Sequence, residues 1–282
     1  MLQKRGIYLE PRTDPAPEES AQLETQGYAV LRSVLDGDEV SALDAALSAV
    51  YDRLPADGRS AVRSAEEDND FRYEMFNRCP EALAAVSHPD ILGVVEPLLG
   101  EDCHIIANTC WRNPPRAQNE HGGGFWHIDA GPHIPRDPEI PWDDRIPYPV
   151  FAIGVHIFVK PCDLASGPTG VLPFSHKSGQ HPPLDRYMDD TLTYQGERVV
   201  PLTAEAGDVA LFVSDVWHRR MPTQEGDQGR FFLQVHYGRR DIAQRIRTTS
   251  VVNHVADEPW VREASERQRL LIGLHQPLFY DG

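Results

Sequence analysis

The ten residues 150–159, VFAIGVHIFV, decide what kind of fold this chain can adopt. In an extended strand alternate side chains share a face, so Phe151, Ile153, Val155, Ile157 and Val159 line one side while Ala152, Gly154, His156 and Phe158 line the other. Both faces are largely apolar. A strand covered on both sides belongs in the middle of a sheet, and His156 within it is expected to be a hydrogen-bonded core histidine.

Outward from this strand, short β-branched or aromatic runs bounded by Gly, Pro or Asp recur: GYAVLRSVL from residue 27, CHIIANTCW from 103, TGVLPF from 169, DVALFV from 208 and FFLQVHYG from 231. Two stretches read as helices instead. DGDEVSALDAALSAVYDRL, from residue 36, sets acids at its start and Val40, Leu43, Leu47, Val50 and Leu54 near helical spacing. EALAAVSHPDILGVVEPLLG, from residue 81, has Pro89 near a helix start and Gly100 as a stop. The pattern predicts a mainly β core with flanking helices, in one domain over residues 1–282. Residues 1–24, with the Pro- and Glu-rich EPRTDPAPEES, read as an extended lead-in.

Residues 129–149, DAGPHIPRDPEIPWDDRIPYP, hold six prolines and suit neither a regular helix nor an internal strand. A loop this long within a compact domain is usually functional. Its Trp142, Ile146 and Tyr148 predict a packed lid over a site, with His133, Trp142 and Tyr148 as substrate contacts.

The net charge of -16 and the pI near 5.1 disfavour phosphate backbones and anionic headgroups, so a small-molecule substrate is expected rather than nucleic acid or membrane. Cys79, Cys103, Cys110 and Cys162 form no C-x-x-C pair and are expected to be reduced, in a cytoplasmic protein. The N-terminus lacks the apolar core of a signal peptide, and VFAIGVHIFV is too short to span a bilayer.

Chemistry concentrates in GGGFWHIDAGPH, residues 122–133. If this segment is extended, His127 and Asp129 point the same way and can converge on one ion. Alone, such a pair is as readily a hydrogen-bonded surface pair. His218, in GDVALFVSDVWHRR, supplies a third donor, and two histidines with one carboxylate are the facial set that leaves three positions open on non-haem Fe(II). A chelating 2-oxoglutarate would then need a cation for its far carboxylate. Arg230, opening the strand RFFLQVHYG, fits that need.

The ordered elements GYAVLRSVLDGDEVSALDAAL, WHID, LASGPTGVLPFSHKSG and AGDVALFVSDVWHRRMPT, followed by Arg230, resemble the phytanoyl-CoA dioxygenase family of Fe(II)- and 2-oxoglutarate-dependent oxygenases. The resemblance runs from about residue 25 to about 240. It implies a double-stranded β-helix, a jelly-roll or cupin-like core with helices bracing one sheet. It also implies His127, Asp129 and His218 as iron ligands, Arg230 on the 2-oxoglutarate carboxylate, and Thr223 at a polar position that helps seat this co-substrate. Dioxygen is the other co-substrate, and an unactivated C–H of a small molecule is oxidised, usually to the alcohol. Halogenating relatives replace the carboxylate by a small residue, so Asp129 points away from halogenation.

Other residues have weaker claims. Asn108 and Thr169 lie on strands expected near the co-substrate, and Trp126 is expected to wall the metal or substrate. His121 and His133 flank the motif, and of the neighbours Arg219 and Arg220 one is expected to face an acidic substrate, Arg220 being the candidate. His176, in PFSHKSG, reads as structural or pocket-lining rather than as a ligand. The aromatic, proline-rich segment suits an apolar or cyclic molecule more than an acyl-CoA, and Ala-, Arg- and Pro-heavy usage fits a bacterial natural-product enzyme. A zinc hydrolase with the same three ligands and a non-catalytic cupin-like binding protein are the alternatives.

Overall fold

The computed structural model describes residues 2–5, 8–11, 15–53, 70–73, 75–116, 123–129, 131–244 and 259–275. Leu2–Arg5 (β1) and Tyr8–Pro11 (β2) pair as a hairpin. The main sheet is built from Tyr28–Leu31 (β3), Phe71–Tyr73 (β4), His104–Asn113 (β5), Ala152–Phe158 (β6), Val209–Val213 (β9) and Arg230–Gly238 (β11). These six run antiparallel in the order β3-β9-β6-β11-β5-β4. As its two apolar faces require, β6 is internal. Thr169–Val171 (β7), Val200–Pro201 (β8) and His218–Arg220 (β10) form a second antiparallel sheet in the order β10-β7-β8.

Strand periodicity sorts the core into two parts. Ile153, Val155 and Ile157, with Val209, Leu211, Val213, Phe231, Leu233, Val235 and Tyr237, pack on the helix side. Phe158, Ala210, Phe212 and Phe232 face the other way, where they meet Val171, Leu202 and Ala204 from the second sheet's side. Two antiparallel sheets enclosing one interior, with helices outside the larger, form the expected double-stranded β-helix.

Helix Gly37–Arg53 has the predicted start and, up to Val50, the predicted face, while Leu54 lies outside the described residues. The Asp36 carboxylate accepts from the Asp38 and Glu39 amides at 2.9 Å, and Glu39 reaches back to the Asp36 amide at 2.9 Å, which is a capping box. Leu43, Leu47, Val50 and Tyr51 are its buried residues. Residues 81–100 form two helical pieces, Pro80–Val86 and Pro89–Leu99, bent by 63° where Pro89 opens the second. Among the described residues no single helix is long and apolar enough to cross a membrane. All four cysteines are free and buried.

The lead-in departs from expectation, because Glu18–Gln26 is helical rather than extended. Glu18 and Glu19 suit the positive end of a helix, and Gly27 closes it at φ 90° with its amide on the Leu23 carbonyl. A Cβ at Gly27 would stand 2.6 Å from His176 Nδ1. His176 itself is structural: its Nε2 meets the Glu24 carbonyl at 3.0 Å, and its ring packs edge-on against Tyr148.

Residues 131–149 of the proline-rich segment contain neither helix nor strand, yet they are fastened at both ends. The Asp215 carboxylate takes His133 Nδ1 at 2.6 Å, the His133 amide at 3.3 Å and the Tyr148 hydroxyl at 3.0 Å. His133 also stacks on Phe151 with ring centroids 5.0 Å apart. Within the segment, Trp142 donates its indole N–H to the Ile146 carbonyl at 2.7 Å and meets the Tyr148 ring.

Two stability predictions follow from these contacts. Asp215→Ala strands the buried Tyr148 hydroxyl and the half-buried His133 ring and is expected to lower the unfolding free energy by about 3 kcal/mol in urea denaturation, whereas Asp137→Ala in the same segment changes it little. Burial pushes the His176 pKa down to about 4, while the unfolded chain protonates near the ordinary 6.5. The unfolded state therefore binds more protons between these values, and stability present above pH 6.5 is lost as pH falls towards 4. His176→Gln is expected to shrink the stability difference between pH 7 and pH 5 by about 2 kcal/mol.

Candidate metal centre

His127 and His218 are brought together by backbone. They form an isolated antiparallel bridge in which each amide donates to the other's carbonyl at 3.0 Å. Two residues on, the Asp129 amide donates to the Ser214 carbonyl at 3.1 Å, which turns the carboxylate inward beside the two imidazoles. Asp129 Oδ1 lies 3.5 Å from His218 Nε2 and 3.9 Å from His127 Nε2. Donors ~2.1 Å from one first-row ion and at right angles to one another stand about 3 Å apart, so a small inward adjustment completes such a site.

The imidazoles are already in the donor tautomer. His127 Nδ1–H donates to the Phe125 carbonyl and His218 Nδ1–H to the Val216 carbonyl, both at 2.9 Å, which leaves the Nε2 lone pairs facing Asp129. Burial, then the neighbouring His218, pushes the His127 pKa down to about 4. Burial alone would raise the Asp129 carboxyl, but His218 and His236 outweigh it and hold the group below the ordinary carboxylate range. A neutral imidazole and an ionised carboxylate are what a divalent cation binds. His127, Asp129 and His218 are the one group of this kind among the described residues.

The three donors line a cavity of about 640 Å³ whose far wall is cationic. Arg230 is buried there, with Nε on Asn113 Oδ1 at 2.7 Å and Nη1 on the Gly167 carbonyl at 3.2 Å. Arg220 reaches the same place: a Cβ on Gly167 would lie 3.4 Å from its Nε. Both Nε and Nη2 of Arg220 are buried without a hydrogen-bond partner among the described residues. Those two nitrogens form the edge of the guanidinium that grips a carboxylate with two parallel bonds. Burial pushes the Arg220 pKa down to about 10, and burial followed by Arg220 itself lowers that of Arg230. Arg116 also lines the cavity, 3.2 Å from Asp70, and its amide meets Asp227. Three guanidiniums, Arg116, Arg220 and Arg230, thus gather on this wall, with the carboxylates of Asp70 and Asp227 beside them.

Of the residues singled out from sequence, His127, Asp129, His218, Arg230, Thr169 and Arg220 line this cavity. Others do not. Asn108 faces the helix side, where its amide oxygen accepts from the Met75 amide at 2.6 Å, while its neighbours Thr109 and Trp111 point inward. Thr223 lines a smaller adjoining cavity with Trp126. Trp126 packs with Leu172, Leu192 and Trp217 and donates to the Asp189 carbonyl at 2.8 Å. His133, Trp142 and Tyr148 are engaged at the Asp215 fastening or within their own segment, and none lines the cavity. His156 is no hydrogen-bonded core residue: it faces the cavity among Phe158, Phe212 and Phe232, with Nδ1 buried and unbonded. Arg219 also reaches the cavity wall, but its guanidinium is paired with Asp190 at 2.7 Å. His121 lies outside the described residues.

Trp111, Gln234 and His236 are the residues sequence reasoning passed over. Gln234 and His236 follow Arg230 and Phe232 at spacings of two along β11, so strand parity alone puts all four on the inward face. Trp111 and Gln234 line both the main cavity and a second one of about 320 Å³, which also reaches His127, Asp129 and His236.

Solved structures with this architecture share the fold at low identity. EctD from S. alaskensis, crystallised with 2-oxoglutarate and 5-hydroxyectoine, is 19% identical with a TM-score of 0.61, covering 82% of this chain and 79% of its own. The non-haem α-ketoglutarate-dependent carbocyclase SnoK from nogalamycin biosynthesis is also 19% identical at a TM-score of 0.61, covering 89% and 92%. HygX from Streptomyces hygroscopicus, with iron bound, is 17% identical at a TM-score of 0.55, covering 82% and 90%. No curated protein matches in sequence. The sequence profile of the phytanoyl-CoA dioxygenase family matches residues 23–222. The order of motifs around His127, Asp129 and His218, the two-sheet fold and this match agree: the chain belongs to the phytanoyl-CoA dioxygenase family.

Proposed function

We propose that the chain is a single-domain Fe(II)- and 2-oxoglutarate-dependent dioxygenase that oxidises an unactivated C–H bond of a small molecule. One observation carries the reading: a three-donor metal face and a wall on which the unbonded edge of Arg220 lies beside the anchored Arg230 stand in the same 640 Å³ cavity. His127, Asp129 and His218 would hold Fe(II), which when bound with 2-oxoglutarate supplies the oxidising chemistry from dioxygen. Arg230 and the free edge of Arg220 would share the far carboxylate of 2-oxoglutarate. This takes Arg220 for the co-substrate rather than for an acidic substrate. Phe212, Phe232 and the neutral His156 make the wall between metal and arginines apolar and keep water from the reacting centre.

A zinc hydrolase needs three ligands and a water, and gives the paired guanidiniums no work. The cavity's aromatic lining suits a small organic substrate, and the likeness to SnoK and HygX supports a role in natural-product metabolism.

Asp129→Ala is expected to abolish Fe(II)-dependent conversion of 2-oxoglutarate to succinate, with circular dichroism unchanged. Persistent succinate formation in that variant would sink the ligand assignment. In anaerobic titrations of the Fe(II) protein, Arg230→Met is expected to weaken 2-oxoglutarate binding about 100-fold and Arg220→Met about 10-fold. An unchanged affinity in Arg220→Met would return that residue to the substrate.

A further inference from the structure

His236 stands behind Asp129 on the inward face of β11. Its neighbours across the sheet are Ala107 on β5 and Gly154 on β6, and a Cβ on Gly154 would come within 3.3 Å of the His236 ring. Two small residues thus leave the imidazole its space. His236 Nδ1 lies 3.6 Å from Asp129 Oδ2, the carboxylate oxygen turned away from the other two histidines. That oxygen is buried and makes no hydrogen bond at its present distances.

Which atom of His236 carries the proton follows from Gln234. Trp111 Nε1–H donates to Gln234 Oε1 at 2.7 Å, and Thr109 Oγ1–H donates to the same oxygen at 3.2 Å. An indole nitrogen can only donate, so the Gln234 amide has one orientation, with its NH₂ towards His236. Gln234 Nε2 lies 3.1 Å from His236 Nε2. An amide NH₂ also only donates, so His236 Nε2 accepts and the ring proton sits on Nδ1, aimed at Asp129. His127 and His218 offer lone pairs to the site, whereas His236 offers a proton.

We propose that His236 is a positioning residue: its Nδ1–H, set by Trp111 and Gln234, takes Asp129 Oδ2 and keeps this carboxylate a one-oxygen metal ligand. The inference rests on the metal centre proposed above. Its consequence is a matter of counting positions. Three single-atom ligands leave three sites on a six-coordinate ion, two for 2-oxoglutarate and one for dioxygen. A carboxylate binding through both oxygens would take one of these.

The test compares three variants in the full chain: His236→Phe, which removes the donor, His236→Gln, which restores an N–H, and Gln234→Leu, which leaves the imidazole but frees its proton. Folding is followed by circular dichroism and thermal unfolding, Co(II) affinity by chelator competition, and the carboxylate by the visible band formed when 2-oxoglutarate is added anaerobically to the Fe(II) protein. His236→Phe is expected to weaken Co(II) binding about 10- to 100-fold and to shift or abolish the band, with His236→Gln within about threefold of the parent and Gln234→Leu between the two. Parent-like Co(II) affinity and band in His236→Phe overturn the inference. So does a His236→Gln variant as weak as His236→Phe, since packing of the ring would then explain the loss. Should His236→Phe fail to fold, Gln234→Leu decides, and unchanged affinity there overturns the relay. A parent chain that binds neither Co(II) nor Fe(II) fails earlier, at the metal centre itself, whereas metal binding by the parent with no effect of the variants removes the relay alone.

Discussion

Two backbone hydrogen bonds, exchanged between His127 and His218, hold the site together. They join the segment before the proline-rich loop to the start of β10, and so bind two stretches distant in sequence at the point where donors must meet. Side chains two apart on an extended segment share a face, so fixing His127 also aims Asp129. The Asp129 amide is then caught by Ser214, in the turn that carries the chain from β9 into β10. Donor geometry here is a property of the main chain, with each histidine further locked by the carbonyl two residues before it.

The charge of the molecule is divided between surface and interior. The chain carries -16 overall, yet three guanidiniums converge at one end of the cavity. Burial makes Arg220 and Arg230 more expensive to ionise, and Asp70 and Asp227 offset only part of that. An acidic exterior also raises no local concentration of anions, so recognition of a carboxylate must come from hydrogen-bond geometry inside. The unpartnered edge of Arg220, beside the anchored Arg230, is geometry of that kind.

The β core and the three donors were readable in the sequence because each depends on residue type and spacing. VFAIGVHIFV has no polar face, and a strand without one has only the middle of a sheet to occupy. His127, Asp129, His218 and Arg230 could be argued from ligand chemistry alone. Asn108 failed by a single residue of strand parity: Thr109 and Trp111 point inward, and the Asn108 amide instead caps the Met75 backbone. His133, Trp142 and Tyr148 failed for another reason. Aromatic residues in a proline-rich loop must pack on something, and the partner that decides where is Asp215, a buried carboxylate whose role no local pattern announces. The helix at Glu18–Gln26 was hidden by the prolines before it, although its acids and closing glycine were in view.

Asp215 sits beside Ser214, so one turn fixes both Asp129 and the loop that follows it. Residues 134–147 leave His133 and return to Tyr148, and both of these residues rest on the same carboxylate. The excursion is therefore closed at its base, like a handle riveted at one plate. Between those ends the Arg136 amide rests on the Gly179 carbonyl and Lys177 pairs with Asp144. A graft from a relative would leave Asp129 in place if it kept the Asp215 plate and supplied its own contacts to residues 177–179.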